Sequence, residues 1–310
     1  MSYTHTLPVL VVGVLVILAL WILAWQAVRL AFRLLYRLPA EIAGTRAWRH
    51  ARTVRSRLAE RHPRTIATLS ARIDPHRFAG LPLTLLAAAA LYVGFLLGGL
   101  VEELLEAEEI LVIDRGINQA FQPVRAEPLL TFFTWFTTFG DSAALIAVVV
   151  VASGCFWAYR RPLLILPLWV TVVGALTTTW AGKFAFARER PEFLTAVTEA
   201  SPSFPSGHAT GAMAVYGFMA YAIARDLPTL RARFEVTYWM AIVIVLVGLS
   251  RIYLAVHYAS DVAAGFMVGG FWLLIGFAIA ENARAWRGPS FGTEGEAEDV
   301  AKAERRAAGD

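Results

Sequence analysis

The chain has 310 residues, 57% of them hydrophobic and 17% charged, with a mean hydropathy of +0.56. Soluble domains run near about 45–50% apolar and about 25% charged. The composition therefore excludes a disordered chain and argues against a soluble globule. The single cysteine, Cys155, excludes an intramolecular disulfide and a cysteine-based zinc cluster. A net charge of +4 would suit nucleic acid, but the cations are segregated along the chain in a way that a membrane explains better.

In chain order, the first apolar run is Pro8–Val28, which carries no charge and is long enough to cross a bilayer. A cleaved signal peptide is disfavoured, because no basic region precedes it and no A-x-A site follows. Residues 29–80 then hold twelve Arg, from Arg29 to Arg77, against Glu41, Glu60 and Asp74. This basic linker reads as cytoplasmic and helical; it either lies on anionic headgroups or is a solvated linker with topogenic charge. Further spans are expected at about Leu81–Val101, Leu129–Trp157, Leu163–Trp180, Ala209–Ala224, Val236–Leu254 and Asp261–Ala280. Within the third run, Gly140-Asp141-Ser142 predicts a helix start with Asp141 or Ser142 as cap. The tail, residues 286–310, is small, polar and charged, and reads as disordered. Gly265-x-x-x-Gly269 in the last span suits close helix packing.

Seven crossings follow, and Lys/Arg bias orients them. Arg160, Arg161, Arg225, Arg231, Arg233, Arg284 and Arg287 fall on the side of the basic linker, which should be cytoplasmic. The acidic stretch with Glu102, Glu103, Glu106, Glu108 and Glu109 falls outside. The N-terminus is then outside and the C-terminus inside. Against this bias, Lys183, Arg188, Arg190 and Arg251 lie at the outer face, with His208 and His257. Cations placed against topology at membrane depth are costly and tend to be functional. Convergent Arg, Lys and His suit phosphate, since Arg offers a fork that matches its oxygens and Lys a point charge.

Three blocks carry this chemistry. Lys183 and Arg190-Pro191 form the first; Pro205-Ser206-Gly207-His208 the second; Ser250-Arg251, His257 and Asp261 the third. His257 and Asp261 are four apart, so a helical turn would put them on one face. Each block is ambiguous alone. Pro205-Ser206-Gly207 reads equally as a turn and cap, His257–Asp261 as a structural pair, and a lone Arg at the membrane edge as a headgroup anchor, which is the reading kept for Arg188. Together the eleven positions match K-x6-RP, PSGH and SR-x5-H-x3-D. The chain thus resembles the type 2 phosphatidic acid phosphatase (PAP2) superfamily over about residues 81–285.

The resemblance implies an all-α, polytopic transmembrane bundle: a six-helix core at 81–285, with one extra N-terminal span at 1–28 outside it. It implies phosphatase activity on a lipid phosphate or diphosphate, with no cofactor and no metal, through a phosphohistidine at His257. Asp261 would hold the other nitrogen of that ring, and His208 would protonate the leaving group and then activate water. Lys183, Arg190, Ser206, Gly207 and Arg251 would bind the phosphate, Ser206 and Gly207 through their backbone N–H groups and the Ser hydroxyl. Family substrates include phosphatidate, phosphatidylglycerophosphate, undecaprenyl diphosphate and lipid A phosphates. A soluble phosphate ester, or an inactive lipid-binding or transport protein, is the alternative. The expected partners are the lipid substrate and membrane lipids rather than nucleic acid. The expected location is a bacterial inner membrane. Cysteine labelling tests the orientation: a membrane-impermeant reagent added outside should reach a Cys placed near Glu106 and miss one near Arg55, and the reverse pattern would invert it.

Overall fold

A computed structural model describes residues 6–43, 50, 80–106, 108–191 and 200–286. Most of the basic linker and the tail lie outside the described residues. Nine α-helices are present among the described residues: α1 (Thr6–Ala43), α2 (Leu81–Glu106), α3 (Glu108–Phe121), α4 (Glu127–Thr137), α5 (Ser142–Ala158), α6 (Ile165–Phe186), α7 (Gly207–Ala224), α8 (Leu230–Tyr253) and α9 (Ala259–Trp286). The all-α transmembrane bundle expected from the sequence is the observed fold. The first helix is longer than the apolar run that suggested it, continuing through the Arg-bearing residues 29–37 to Ala43.

Five helices are long and apolar enough to cross a membrane alone: α1 through Val12–Ala31, α2, Pro162–Phe186, α8 and Ala259–Ala285. The expected span Leu129–Trp157 is instead a pair, Glu127–Gly140 and Ser142–Ala158, bent by 45°. The break falls at Asp141, whose extended backbone makes it the N-cap of α5. Its carboxylate makes no cap hydrogen bond, however, and is left for another partner. The expected crossing at 209–224 is α7, which is not among the five. It is the innermost helix, rich in Ala and Gly, with Ala209, Ala212, Ala214, Val215 and Phe218 fully buried. A helix shielded from lipid by its neighbours is selected for fit rather than for hydropathy, so its apolar signal is weak.

Around α7 the core interdigitates Leu145, Val149 and Ala152 of α5, Leu168 and Val172 of α6, Ile244 and Val247 of α8 and Leu273 of α9. The N-terminal helix docks at the start of α8. Trp21 donates to Glu235 at 3.1 Å, Tyr238 donates to the Ile17 carbonyl at 2.5 Å, and Trp25 packs on Phe234. Exposed Trp135, Trp180 and Phe184 ring one end of the bundle, and exposed Trp157 and Tyr159 the other. Aromatics enriched at two levels mark the two membrane–water interfaces. Arg161 pairs with Asp226, and Arg284 with Glu281, at the end away from Lys183 and His208.

Helix α9 approaches the backbone of α7 closely. A Cβ on Gly265 would stand 2.7 Å from the Ser206 carbonyl oxygen, and one on Gly269 2.7 Å from that of Thr210. The Gly-x-x-x-Gly spacing thus sets the separation between the start of α7 and the start of α9. Gly265→Ala or Gly269→Ala should force these helices apart, at a cost of about 1–3 kcal/mol. A lowered melting temperature of the detergent-solubilised protein is the expected result; an unchanged one would mean that the contact is not tight.

Candidate active site

The site is assembled at one end of the bundle from the ends of four helices and two connectors. Helix α6 brings Lys183 up in its last turn and stops at Ala187, which caps it in a left-handed conformation (φ 43°, ψ 34°) with its N–H on the Lys183 carbonyl. The chain then runs through Arg188 and Arg190. It returns beside itself, with Ser203 N–H donating to the Arg188 carbonyl and Ser203 Oγ to the Glu189 carbonyl. Ser206 is the N-cap of α7, and Gly207 and His208 open that helix. Helix α8 ends just past Arg251. A turn with Ala255 at φ 55° then carries His257 before α9 starts with Ser260 and Asp261.

All eight residues expected to form the site meet here. Arg190 donates to the carbonyls of Ser201 (2.7 Å) and Val256 (2.8 Å), and its Nη1 lies 3.2 Å from His257 Nε2. Arginine has donors only, so Nε2 must accept, and the ring proton sits on Nδ1. Nδ1 faces Asp261 Oδ2 at 3.4 Å, within ion-pair range but longer than a closed hydrogen bond. Burial, with the nearby Arg251 and Arg190 charges, pushes the His257 pKa down to about 3, against the opposing pull of Asp261. His257 is therefore a neutral imidazole at neutral pH. Its spacing to Asp261 arises differently from the sequence reading. The two do not share a helical turn, because the chain breaks between α8 and α9; Asp261 reaches back from the first turn of α9 and accepts from the Tyr258 N–H at 2.9 Å.

Lys183 donates to Ser201 Oγ at 3.2 Å and to the Pro202 carbonyl. Arg251, 1% exposed, donates to Thr137 Oγ1 at 2.9 Å. Ser250 turns its hydroxyl onto its own helix, at the Val247 carbonyl. The Ser206 amide, expected to be open to phosphate, donates instead to the Asp261 carbonyl at 3.0 Å. Ser206 Oγ is buried without a hydrogen-bond partner, and a Cβ on Gly207 would meet nothing nearer than Thr179 at 3.9 Å. An orphaned hydroxyl and open space at a helix N-terminus suit an anion. A cavity of about 180 Å³ begins there, at Lys183, Gly207 and His208, and continues between α5, α6 and α7 along Ile146, Leu176 and Val215.

Two residues enter the site that the sequence reading had placed elsewhere. Asp141, read as a helix cap, accepts from His208 Nε2 at 2.8 Å. Arg188, read as a headgroup anchor, is largely buried and bonds Asp261 at 2.5 Å. Its position against the topological bias was the available signal. Asp114, which Arg188 also bonds, had none, because nothing local links it to residue 261.

Residues 162–285 match the family model of the PAP2 superfamily. Over 172 residues the chain is 35% identical to phosphatidylglycerophosphatase B of Bacillus subtilis (strain 168), covering 53% of this chain and 82% of that protein. The chain belongs to the PAP2 superfamily. Its fold is similar to the crystal structure of the transmembrane PAP2-type phosphatidylglycerolphosphate phosphatase from Bacillus subtilis, with a TM-score of 0.59 and 28% identity over 62% of this chain and 96% of the other. A fainter likeness, with a TM-score of 0.43 and 23% identity over 54% of this chain and 93% of the other, is to Aquifex aeolicus LpxE. This PAP2 protein is an integral-membrane lipid phosphatase.

Both left-handed alanines hold the PAP2 motifs in place at a steric cost, since a Cβ disfavours this conformation by roughly 1–2 kcal/mol. Ala187→Gly and Ala255→Gly should each raise the melting temperature, by an amount worth a few tenths to about 1 kcal/mol once glycine's extra chain entropy is subtracted. A drop in either would mean that the side-chain methyl contributes more than the backbone strain costs.

Proposed function

We propose that this protein hydrolyses a lipid phosphate monoester or diphosphate through a phosphohistidine on His257, without metal, at the outer face of a bacterial inner membrane. The observation that carries the reading is the placement of the buried His257 ring, with Nε2 3.2 Å from Arg190 Nη1 and Nδ1 3.4 Å from Asp261 Oδ2. An incoming phosphate takes over the Arg190 hydrogen bond and so reaches Nε2. Nε2 attacks phosphorus, the P–O bond to the lipid breaks, and the electron pair leaves on the alkoxide oxygen. His208, charged, gives that oxygen a proton. Neutral His208 then takes a proton from water as the water attacks phosphorus, the N–P bond breaks, and the pair returns to Nε2. Asp261 stabilises the imidazolium character of the intermediate.

Lys183, Arg190 and Arg251 surround the phosphate oxygens with positive charge, and Ser206 and Gly207 offer a hydroxyl and the amide-rich start of α7. Among the described residues no group of three or more His, Cys, Asp or Glu could hold a metal ion. Continuity of the polar end with the apolar cavity favours a lipid over a soluble ester, since the first part of a chain fits where Ile146, Leu176 and Val215 line the wall. The names of the Bacillus subtilis relatives favour phosphatidylglycerophosphate within that class. The outward placement rests on the Arg residues gathered at the end of the bundle opposite the site.

His257→Ala should abolish turnover and the acid-labile, base-stable phosphoprotein trapped by rapid quench. His208→Ala should cost about 10²–10⁴-fold on a poor leaving group and less on a good one. Because protonation of His257 begins only as the pH falls toward about 3, the acid side of the wild-type profile should extend well below the ordinary His value of about 6.5. The alkaline side should fall as His208 loses its proton. Activity should survive EDTA. A phosphoprotein that still forms in His257→Ala, or equal leaving-group sensitivity in the two variants, would overturn these roles.

A further inference from the structure

Behind His257 lies a buried chain of charges of which the hydrolytic scheme uses only Asp261. Asp114 is 1% exposed and Asp261 0%. Arg188 joins them: Nη1 reaches Asp261 Oδ1 at 2.5 Å and Ser260 Oγ at 2.8 Å, and Nη2 reaches Asp114 Oδ2 at 2.8 Å. Ser260 closes the cluster, its N–H donating to Asp114 Oδ1 at 3.0 Å and its hydroxyl to Asp114 Oδ2 at 2.5 Å. The guanidinium lies over the Tyr258 ring at 4.4 Å. Asp114 comes from α3, outside the residues that match the family model.

Two full negative charges and one positive charge are thus shut away together. Such a group is expensive to bury, and replacing it with apolar residues is often no loss to stability. Its placement offers a reason for it. Arg188 takes one oxygen of Asp261 and leaves the other for the His257 ring. Alone, however, Arg188 would cancel the negative charge that the ring needs once it becomes cationic. Asp114 offsets Arg188 and returns the trio to a net charge of −1.

We infer that Asp114 and Arg188 are positioning residues for the phosphatase reaction: they fix the rotamer of Asp261 and set the net charge behind His257 at −1. This rests on His257 being the attacking group. The other charged groups that face the ring are Arg190 from the connector after α6 and Arg251 from α8. Lys183 on α6 lies beyond Arg190, and Arg115 on α3 stands near Tyr258. The cations among them favour a neutral ring and oppose charge developing on it. The trio is the counterweight.

The charge arithmetic makes the test. Wild type holds −1, Asp114→Asn holds 0, Arg188→Gln holds −2, and the double variant holds −1 again. Full-length variants in detergent are assayed on phosphatidylglycerophosphate across pH, with folding followed by melting temperature. Asp114→Asn should lower kcat about tenfold or more with KM changed little, because the cationic intermediate loses its counter-charge while phosphate binding is untouched. Arg188→Gln should move the acid limb up by about one pH unit or more, the size of shift expected when a charge within a few ångströms changes. The double variant should return the limb to its wild-type position and recover activity relative to either single change. Ser260→Ala, which breaks hydrogen bonds in the same cluster but alters no charge, should leave the limb where it is.

A double variant no better than the worse single variant, or an acid limb unmoved in Arg188→Gln, would show the cluster to be structural only and overturn the inference. His257→Ala runs alongside: retained activity there would remove the mechanism on which the inference rests. An inactive His257→Ala with an unmoved limb in Arg188→Gln would instead fault the inference alone.

Discussion

The site depends on how closely α9 can approach α7. Ser206–His208 open one of these helices and Ser260–Asp261 open the other, and the two starts are tied by the Ser206 N–H on the Asp261 carbonyl. That hydrogen bond can form only because Gly265 and Gly269 present no side chain to the Ser206 and Thr210 carbonyls. Helix packing inside a bilayer gains little from the hydrophobic effect and relies on van der Waals contact between close backbones. The same two glycines therefore hold the bundle together and bring the second and third motif blocks within reach of each other.

Around that contact the protein has concentrated charge that a membrane protein would otherwise avoid. Lys183 and Arg251 are buried, and both lie within helices long enough to span. Each is held by oxygens that need no further charge: Ser201 and Pro202 for Lys183, Thr137 for Arg251. These hydrogen bonds to neutral oxygens hold the two cations in place without themselves cancelling the positive field. Arg188 is treated in the opposite way, with carboxylates on both sides. The cation behind His257 is thus neutralised within its own cluster. This division separates the part of the site that meets phosphate from the part that steadies the ring.

The outer elements α3 and α4 gain a purpose from the same geometry. Neither is a membrane crossing by itself. Helix α3 supplies Asp114, and the end of α4 supplies Thr137. Phe133 of α4 packs on Tyr253 of α8 with ring centroids 4.5 Å apart, and Arg125 donates to the Tyr253 carbonyl at 2.9 Å. These contacts brace the end of α8, which leads into the turn that carries His257. The bend at Asp141 places the start of α5 beside His208, and the unused N-cap carboxylate becomes that ring's partner.

The sequence by itself determined the membrane-spanning character, the all-α bundle and the eight residues that meet at one end. Those features depend on local hydropathy and on motif spacing, which a linear reading can measure. The helix expected at 209–224 is present as α7, but its weaker apolar signal did not reveal that it is the innermost one, because burial by neighbouring helices demands fit rather than hydropathy. The linear reading placed His257 and Asp261 on one helical turn, since a four-residue spacing cannot reveal that α9 begins only at Ala259, after His257. The tertiary structure alone decided that the carboxylate of Asp141, at the N-cap of α5, serves His208, and that Arg188 faces inward. It alone brought Asp114 against Ser260, 146 residues away. A buried ion pair is chosen by which charges the fold brings within a few ångströms in a medium of low dielectric constant, and separation along the chain carries no record of that.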